Sequence, residues 1–141
     1  MKTILIALLA SIGIFGKTTP TEISGTDNYN FTSNQLNFQL TIPMEFKNKL
    51  TIDETENSVI FKYDNPTYPN DVYLFSINKV NEKIWMQVQE NIYNGVVLSN
   101  KDGFITYSEN TRENTLRGKN KDEFEKLLGS ISEIVKTFKQ I

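Results

Sequence analysis

The run VYLFSI, from Val72 to Ile77, is the most continuously apolar part of the chain beyond its N-terminus, and the fold can be built around it. A strand with one buried face alternates apolar and polar residues, whereas a strand covered on both faces is apolar almost throughout. The run therefore predicts a central strand. The remaining elements fit around it as flanking strands and as two helices that cover its faces.

Three further strands are predicted before this run. Apolar residues alternate with polar ones from Leu36 to Ile42, which indicates a half-buried strand that Pro43 ends. Residues 50–52 and 59–63 predict two more strands around a polar bend. The prolines between Asp64 and Asp71 mark that segment as a loop.

The segment after the central run predicts a helix and then a hairpin. Apolar residues from Glu82 to Tyr93 recur at helical spacing, although strand alternation fits them nearly as well. Residues 96–98 and 104–107 flank the tetrapeptide Asn100 to Gly103. This tetrapeptide predicts a hairpin with a type I turn that the glycine closes.

The last segment predicts the longest helix of the chain. Its apolar residues recur at steps of three and four: Phe124, Leu127, Leu128, Ile131, Ile134, Val135 and Phe138. Asn120 is the predicted N-cap, and Glu123 follows it at the spacing of a capping box.

The N-terminus predicts export. Lys2 precedes an apolar stretch from Thr3 to Phe15, which is too short to span a bilayer comfortably and matches the core of a secretory signal. We therefore expect a signal peptide over residues 1–16 and a flexible, polar leader over residues 17–33. One folded domain is expected over residues 34–141, with no membrane span left after the signal is removed.

Composition excludes several classes of function. The 141 residues suit one domain, and a net charge of −2 gives no basic footprint for nucleic acid. Without cysteine there is no disulfide, thiolate nucleophile or lipid anchor, and without histidine the usual neutral-pH base and zinc ligand are missing. No nucleophile-elbow, Ser-x-x-Lys or phosphate-loop motif occurs, so neither an enzyme, a cofactor nor a metal site is expected.

A characteristic order of segments runs through the chain: residues 40–43, 46–50, 59–63 and 74–77, Trp85, the Asp-Gly hairpin and residues 134–138. Together these segments resemble the small secreted PsbP-like and Mog-like domains of Gram-positive bacteria. Phe46 stands where these domains usually have tryptophan. The resemblance implies an α+β fold, an antiparallel sheet with helices on both faces in three α/β/α layers. It implies little chemistry, since members of the family are mainly assembly factors, adaptors or chaperone-like binders.

Aromatic and basic residues are the candidates for contact with a partner. Tyr63, Tyr68 and Trp85 could line an apolar cleft, with Tyr68 favoured because it stands in a loop between two prolines. Arg112 and Arg117 belong to a locally basic loop that could touch an anionic polymer or lipid headgroup. Core packing is an alternative explanation for the aromatic residues, and a solvated loop is an alternative explanation for the basic ones.

Acidic residues give the remaining candidates. Glu54 and Glu56 could hold a cation at a strand end, or could be a solvated hairpin tip. The oxygen-rich loop from Asp64 to Asp71 could bind calcium, although its spacing is not that of an EF-hand. A carboxylate-based hydrolase would need two of these groups to converge in a pocket.

We therefore expect an exported, non-enzymatic module that binds a protein or envelope component outside the cytoplasmic membrane. A chaperone for the hydrophobic segment of an exported protein is an alternative, which requires a large exposed apolar groove. The carboxylate-based hydrolase is a third hypothesis. The sequence leaves the partner and the oligomeric state open.

Overall fold

The computed structural model describes residues 27–64, 71–112, 116 and 118–141. The chain forms a mixed α+β fold with two antiparallel sheets, where one sheet was expected. The strands are β1 Asn28–Ser33, β2 Phe38–Pro43, β3 Leu50–Glu54, β4 Ser58–Tyr63, β5 Val72–Asn81, β6 Val96–Lys101, β7 Phe104–Asn110 and β8 Lys139–Gln140. The helices are α1 Glu82–Val88 and α2 Gly118–Lys136. Short 3₁₀ helices span Met44–Lys49 and Gln89–Asn91.

The strand predicted to be central lies in the middle of the larger sheet, which has the order β3-β4-β5-β7-β6. Four consecutive residues of β5, Leu74 to Ile77, are buried, as expected of a strand covered on both faces. The rings of Phe61 on β4 and Phe75 on β5 stack with their centroids 4.3 Å apart. A register shift follows Phe61, so that Leu74 is not paired with a residue of β4.

The smaller sheet has the order β1-β2-β8 and includes residues that we assigned to the leader. Residues 28–33 form β1, so the ordered body begins before the expected boundary at residue 34. Tyr29 and Phe31 explain this extension because they alternate with asparagines and pack against the core. The ring centroid of Phe31 lies 5.3 Å from that of Phe61 on β4.

Helix α2 packs its apolar stripe against both sheets. Its buried residues share one core with residues of β2, β4 and β5; they are Phe124, Leu127, Ile131, Ile134 and Val135. The helix begins at Gly118, and Asn120, our predicted N-cap, lies within its first turn. Gly118 has φ of +63°, a conformation that glycine adopts without a steric penalty, which lets the chain enter the helix two residues early. Within the described residues no helix is both long and apolar enough to cross a membrane.

The hairpin of β6 and β7 forms where it was predicted, but with a different turn. Asp102 and Gly103 both have positive φ, 55° and 81°, and only these two residues separate the strands. This is a two-residue type I′ loop, whose twist suits the right-handed twist of the strands better than a type I turn does.

Helix α1 forms over residues 82–88, so the helical interpretation of this segment is confirmed and the strand alternative is wrong. The Asn81 side chain caps it by accepting a hydrogen bond from the Ile84 N–H at 2.9 Å. The helix is shorter than expected, because a 3₁₀ turn follows at Gln89.

Candidate functional site

A groove of about 630 Å³ lies between the second half of α2 and the strand β6. Volumes of this size are typical of binding sites for small molecules or peptide side chains. Its lining residues define what we call the α2/β6 groove: Asn94, Gly95, Val96, Val97, Leu98, Ser108, Asn110, Ile131, Ser132, Val135, Lys136 and Phe138.

The walls of the α2/β6 groove are mainly apolar. Ile131 and Val135 are buried and lie four residues apart, so that both are on the same side of α2. On the β6 side, Val96 is 49% exposed and pairs with Ser108, so its side chain lies on the same face of the sheet as α2. Val97 pairs with Tyr107, and its side chain points to the opposite face. The site is therefore an open, apolar groove whose residues on α2 are buried.

The polar groups of the α2/β6 groove are few and carry one sign of charge. Ser108 is buried, and Asn94, Asn110 and Ser132 add amide and hydroxyl groups. Lys136 is the only charged residue among the lining residues. Its ammonium lies 3.2 Å from the Glu133 carboxylate, but both side chains are about half exposed, and such surface pairs are weak.

Strand β6 is at one edge of the larger sheet. Within the described ranges its strand neighbour is β7, so the opposite side of its backbone faces away from the sheet. Unpaired N–H and C=O groups of this kind are a template for another strand. The other edge strand, β3, carries exposed Asp53 and Glu54, the kind of charged residue that discourages pairing, whereas β6 has no charge before Lys101.

One end of the α2/β6 groove is set by a close contact at Gly95. A Cβ atom built on this residue would lie 2.3 Å from Cγ2 of Ile92 and 3.4 Å from the Ser108 carbonyl oxygen. A side chain at position 95 would therefore have to displace the Ile92 side chain, which glycine avoids where the chain passes from the 3₁₀ turn into β6.

Tyr63, one of the predicted contact residues, is fully buried. Its ring packs edge-on against Phe124, and its hydroxyl donates a hydrogen bond of 2.5 Å to the Glu123 carboxylate. Burial and this carboxylate raise the pKa of Tyr63 to about 12. The placement corrects our prediction, since a partner cannot reach this side chain.

The same carboxylate links three elements. Lys49 Nζ lies 2.9 Å from Glu123, and the hydrogen bonds from Tyr63 and Lys49 hold the pKa of Glu123 below its ordinary value. The 3₁₀ helix, β4 and α2 are thereby joined at one point. We assign this cluster a structural role.

Two other predicted contact residues, Trp85 and Arg112, do not line the α2/β6 groove and have partners within the protein. Trp85 is half-buried on α1 and packs on the Tyr107 ring at 5.0 Å between centroids. Arg112 donates a 2.8 Å hydrogen bond to the Asn91 carbonyl and lies over the Tyr93 ring at 5.3 Å. These contacts give each residue a packing role. Tyr68 and Arg117 lie outside the described residues.

The acidic candidates do not converge. Glu54 and Glu56 are exposed at the bend between β3 and β4, and Asp64 is exposed at the other end of β4. The described part of the chain contains no group of three or more acidic residues that could hold a metal ion. Most of the loop from Asp64 to Asp71 lies outside the described residues.

The α2/β6 groove was not predicted from the sequence. Two signals were present: three consecutive apolar residues, Val96 to Leu98, in a strand beside a polar hairpin, and an apolar stripe on α2 that continues to Phe138. Nothing in the sequence showed that β6 is an edge strand, and the exposure of its valines depends on that position.

Comparison of the chain with known proteins identifies no relative. No family model, curated protein or solved structure matches it.

Proposed function

We propose that this protein is an exported, non-enzymatic binding module of the PsbP-like and Mog-like type, and that it holds a segment of another protein in the α2/β6 groove. The proposal includes a three-layer arrangement with α1 and α2 on opposite faces of the larger sheet. Strand pairing supports this arrangement. Phe75, which shares the core with α2, and Ser76 point to opposite faces, and Tyr107, which contacts α1, belongs to the face of Ser76.

The observation that carries the proposal is the apolar character of the α2/β6 groove. The half-exposed Val96 lines it together with Leu98, although monomeric proteins normally bury such groups or use them in binding. It combines apolar walls with a few hydroxyl, amide and ammonium groups, the composition typical of recognition sites.

Export is supported by the N-terminal sequence. The positive Lys2, the apolar stretch Thr3 to Phe15 and the polar residues that follow match the order of parts in a secretory signal. N-terminal mass analysis of the protein from culture medium and from cells tests this part. We expect an exported form that begins near residue 17, and an intracellular form that retains Met1 would contradict it.

A chaperone for a hydrophobic segment is a second candidate, favoured by the same open apolar groove. The two functions differ in selectivity. An adaptor keeps one partner in a stable complex, whereas a chaperone engages many unfolded segments and releases them.

Site-specific photocrosslinking in exporting cells tests the proposed function. A benzophenone amino acid is placed at Val96, which lines the α2/β6 groove and pairs with Ser108 on the α2 face, and in a matched control at the exposed Lys83 on α1. We expect protein adducts from position 96 and not from position 83. One recurring adduct supports an adaptor and a broad set supports a chaperone. The same adducts from both positions, or none from position 96, would refute the groove as the binding site.

A further inference from the structure

We infer that the α2/β6 groove takes an extended polypeptide strand, which pairs with the outer edge of β6, places apolar side chains in the groove and brings a carboxylate to Lys136. This inference rests on the proposed function and specifies the chemistry of its ligand.

The backbone of β6 is the first reason to expect a strand. β6 spans six residues at the edge of the sheet and pairs with β7 on one side within the described ranges. An added strand would hydrogen bond to the N–H and C=O groups of its outer side, as in other cases of β-strand addition. A small apolar ligand would fill the groove but would leave those groups to water.

The helix beside β6 is the second reason. Ile131 and Val135 of α2 line the groove together with residues of β6, and Phe138 adds an apolar ring beyond the end of α2. Side chains of an extended peptide alternate in direction, so every second one would point into the groove. Apolar side chains at those alternate positions match walls of valine, leucine and isoleucine.

Charge distinguishes between possible partners. The lining residues include one cation, Lys136, and no carboxylate. They therefore favour a strand that is otherwise uncharged and carries an acidic residue or its C-terminal carboxylate at the end near Lys136. A second copy of this chain is a poorer occupant. The only charged residue of its own β6 is Lys101, which has the same sign as Lys136 and offers it no carboxylate.

The absence of the usual edge protection agrees with this role. β3 carries Asp53 and Glu54, and Lys62 on its neighbour pairs with Asp53 at 2.5 Å, whereas β6 presents two valines and a leucine. A sheet that protects one edge with charge and leaves the other apolar has one edge suited to pairing.

The test uses an acetylated peptide of about eight residues that alternates valine with threonine and ends in glutamate. A control peptide has the same side chains but N-methyl groups on alternate backbone nitrogens, which removes hydrogen bonds and leaves the apolar residues. Binding to the full chain is measured by titration, and hydrogen exchange of the β6 amides is followed by NMR.

We expect the unmethylated peptide to slow exchange in β6 and to bind more than about tenfold tighter than its methylated control. Lys136→Glu should weaken its binding about fivefold and should strengthen binding of a peptide that ends in lysine. Lys83→Glu on α1 makes the same charge change away from the groove and should alter neither.

Equal binding of the two peptides, or no binding of either, would overturn strand addition. So would a dimer that pairs two copies of β6 and excludes the peptide. Adducts at position 96 would still support the groove as a binding site in each case, so the failure of this inference and the failure of the proposed function are distinguishable.

Discussion

The hydrogen bond between Tyr63 and Glu123 gives the sharpest prediction about the core. Tyr63→Phe removes the hydroxyl that donates to the carboxylate at 2.5 Å and keeps the ring that packs on Phe124. Hydrogen bonds to charged groups contribute about 1.5–3 kcal/mol. Glu123 is 28% exposed and keeps its contact with Lys49, so we expect the low end, a coupling of about 1.5 kcal/mol between Tyr63 and Glu123 at neutral pH.

The coupling should depend on pH in one direction. The pKa of Glu123 is lower in the folded protein than in the unfolded chain, since its carboxylate accepts hydrogen bonds from Tyr63 and Lys49. Its stabilisation is therefore complete above the unfolded pKa, about 4.3, and is lost as the pH falls through the lower folded value. The raised pKa of Tyr63, about 12, keeps its hydroxyl protonated across this window.

The measurement is a double-mutant cycle with Tyr63→Phe, Glu123→Gln and the double variant. Urea unfolding is followed by the fluorescence of Trp85, the single tryptophan of the chain. Tyr73→Phe is the matched control, because its hydroxyl donates to the backbone carbonyl of Glu109 and its cost should change little with pH. A coupling near zero at neutral pH, or one that grows in acid, would refute the reasoning.

Two glycines and one helix cap give further tests by urea unfolding. Gly95→Ala should lower the free energy of unfolding by about 1–3 kcal/mol, because its Cβ would meet Ile92 at 2.3 Å; an unchanged stability would contradict the close contact. Gly129→Ala, with nothing within 4 Å of the new Cβ, should raise it by about 0.5–1 kcal/mol, and a loss would show an unseen neighbour. Asn81→Ala removes the hydrogen bond from the Ile84 N–H and should lower the free energy of unfolding by about 1 kcal/mol, whereas Asn81→Ser should restore most of this stability.

Elements with strong periodicity were predictable from the sequence. The unbroken apolar run at residues 72–77 identified the central strand, and steps of three and four identified α2. Element ends were less accurate, because local hydrogen bonding decides them. Gly118 starts α2 two residues before the predicted cap, and two positive φ values at Asp102 and Gly103 change the turn type.

The position of strands in sheets was not predictable, and the candidate site depends on it. Residues 28–33 appeared too polar to belong to the folded domain. Tyr29 and Phe31 nevertheless pack against the core, because their strand pairs with β2. Val96 and Val97 appeared to be ordinary strand residues, and only the strand order places them at an exposed edge. Tyr63 was chosen for its chemistry, but strand alternation places it inward, against Phe124.

Binding at β6 can be measured by hydrogen exchange of the full chain with and without its crosslink-identified partner. We expect the partner to slow exchange of the amides of β6, at one wall of the α2/β6 groove, and to leave the charged edge strand β3 unchanged. Slower exchange in β3, β1 or α1 with β6 unaffected would contradict it.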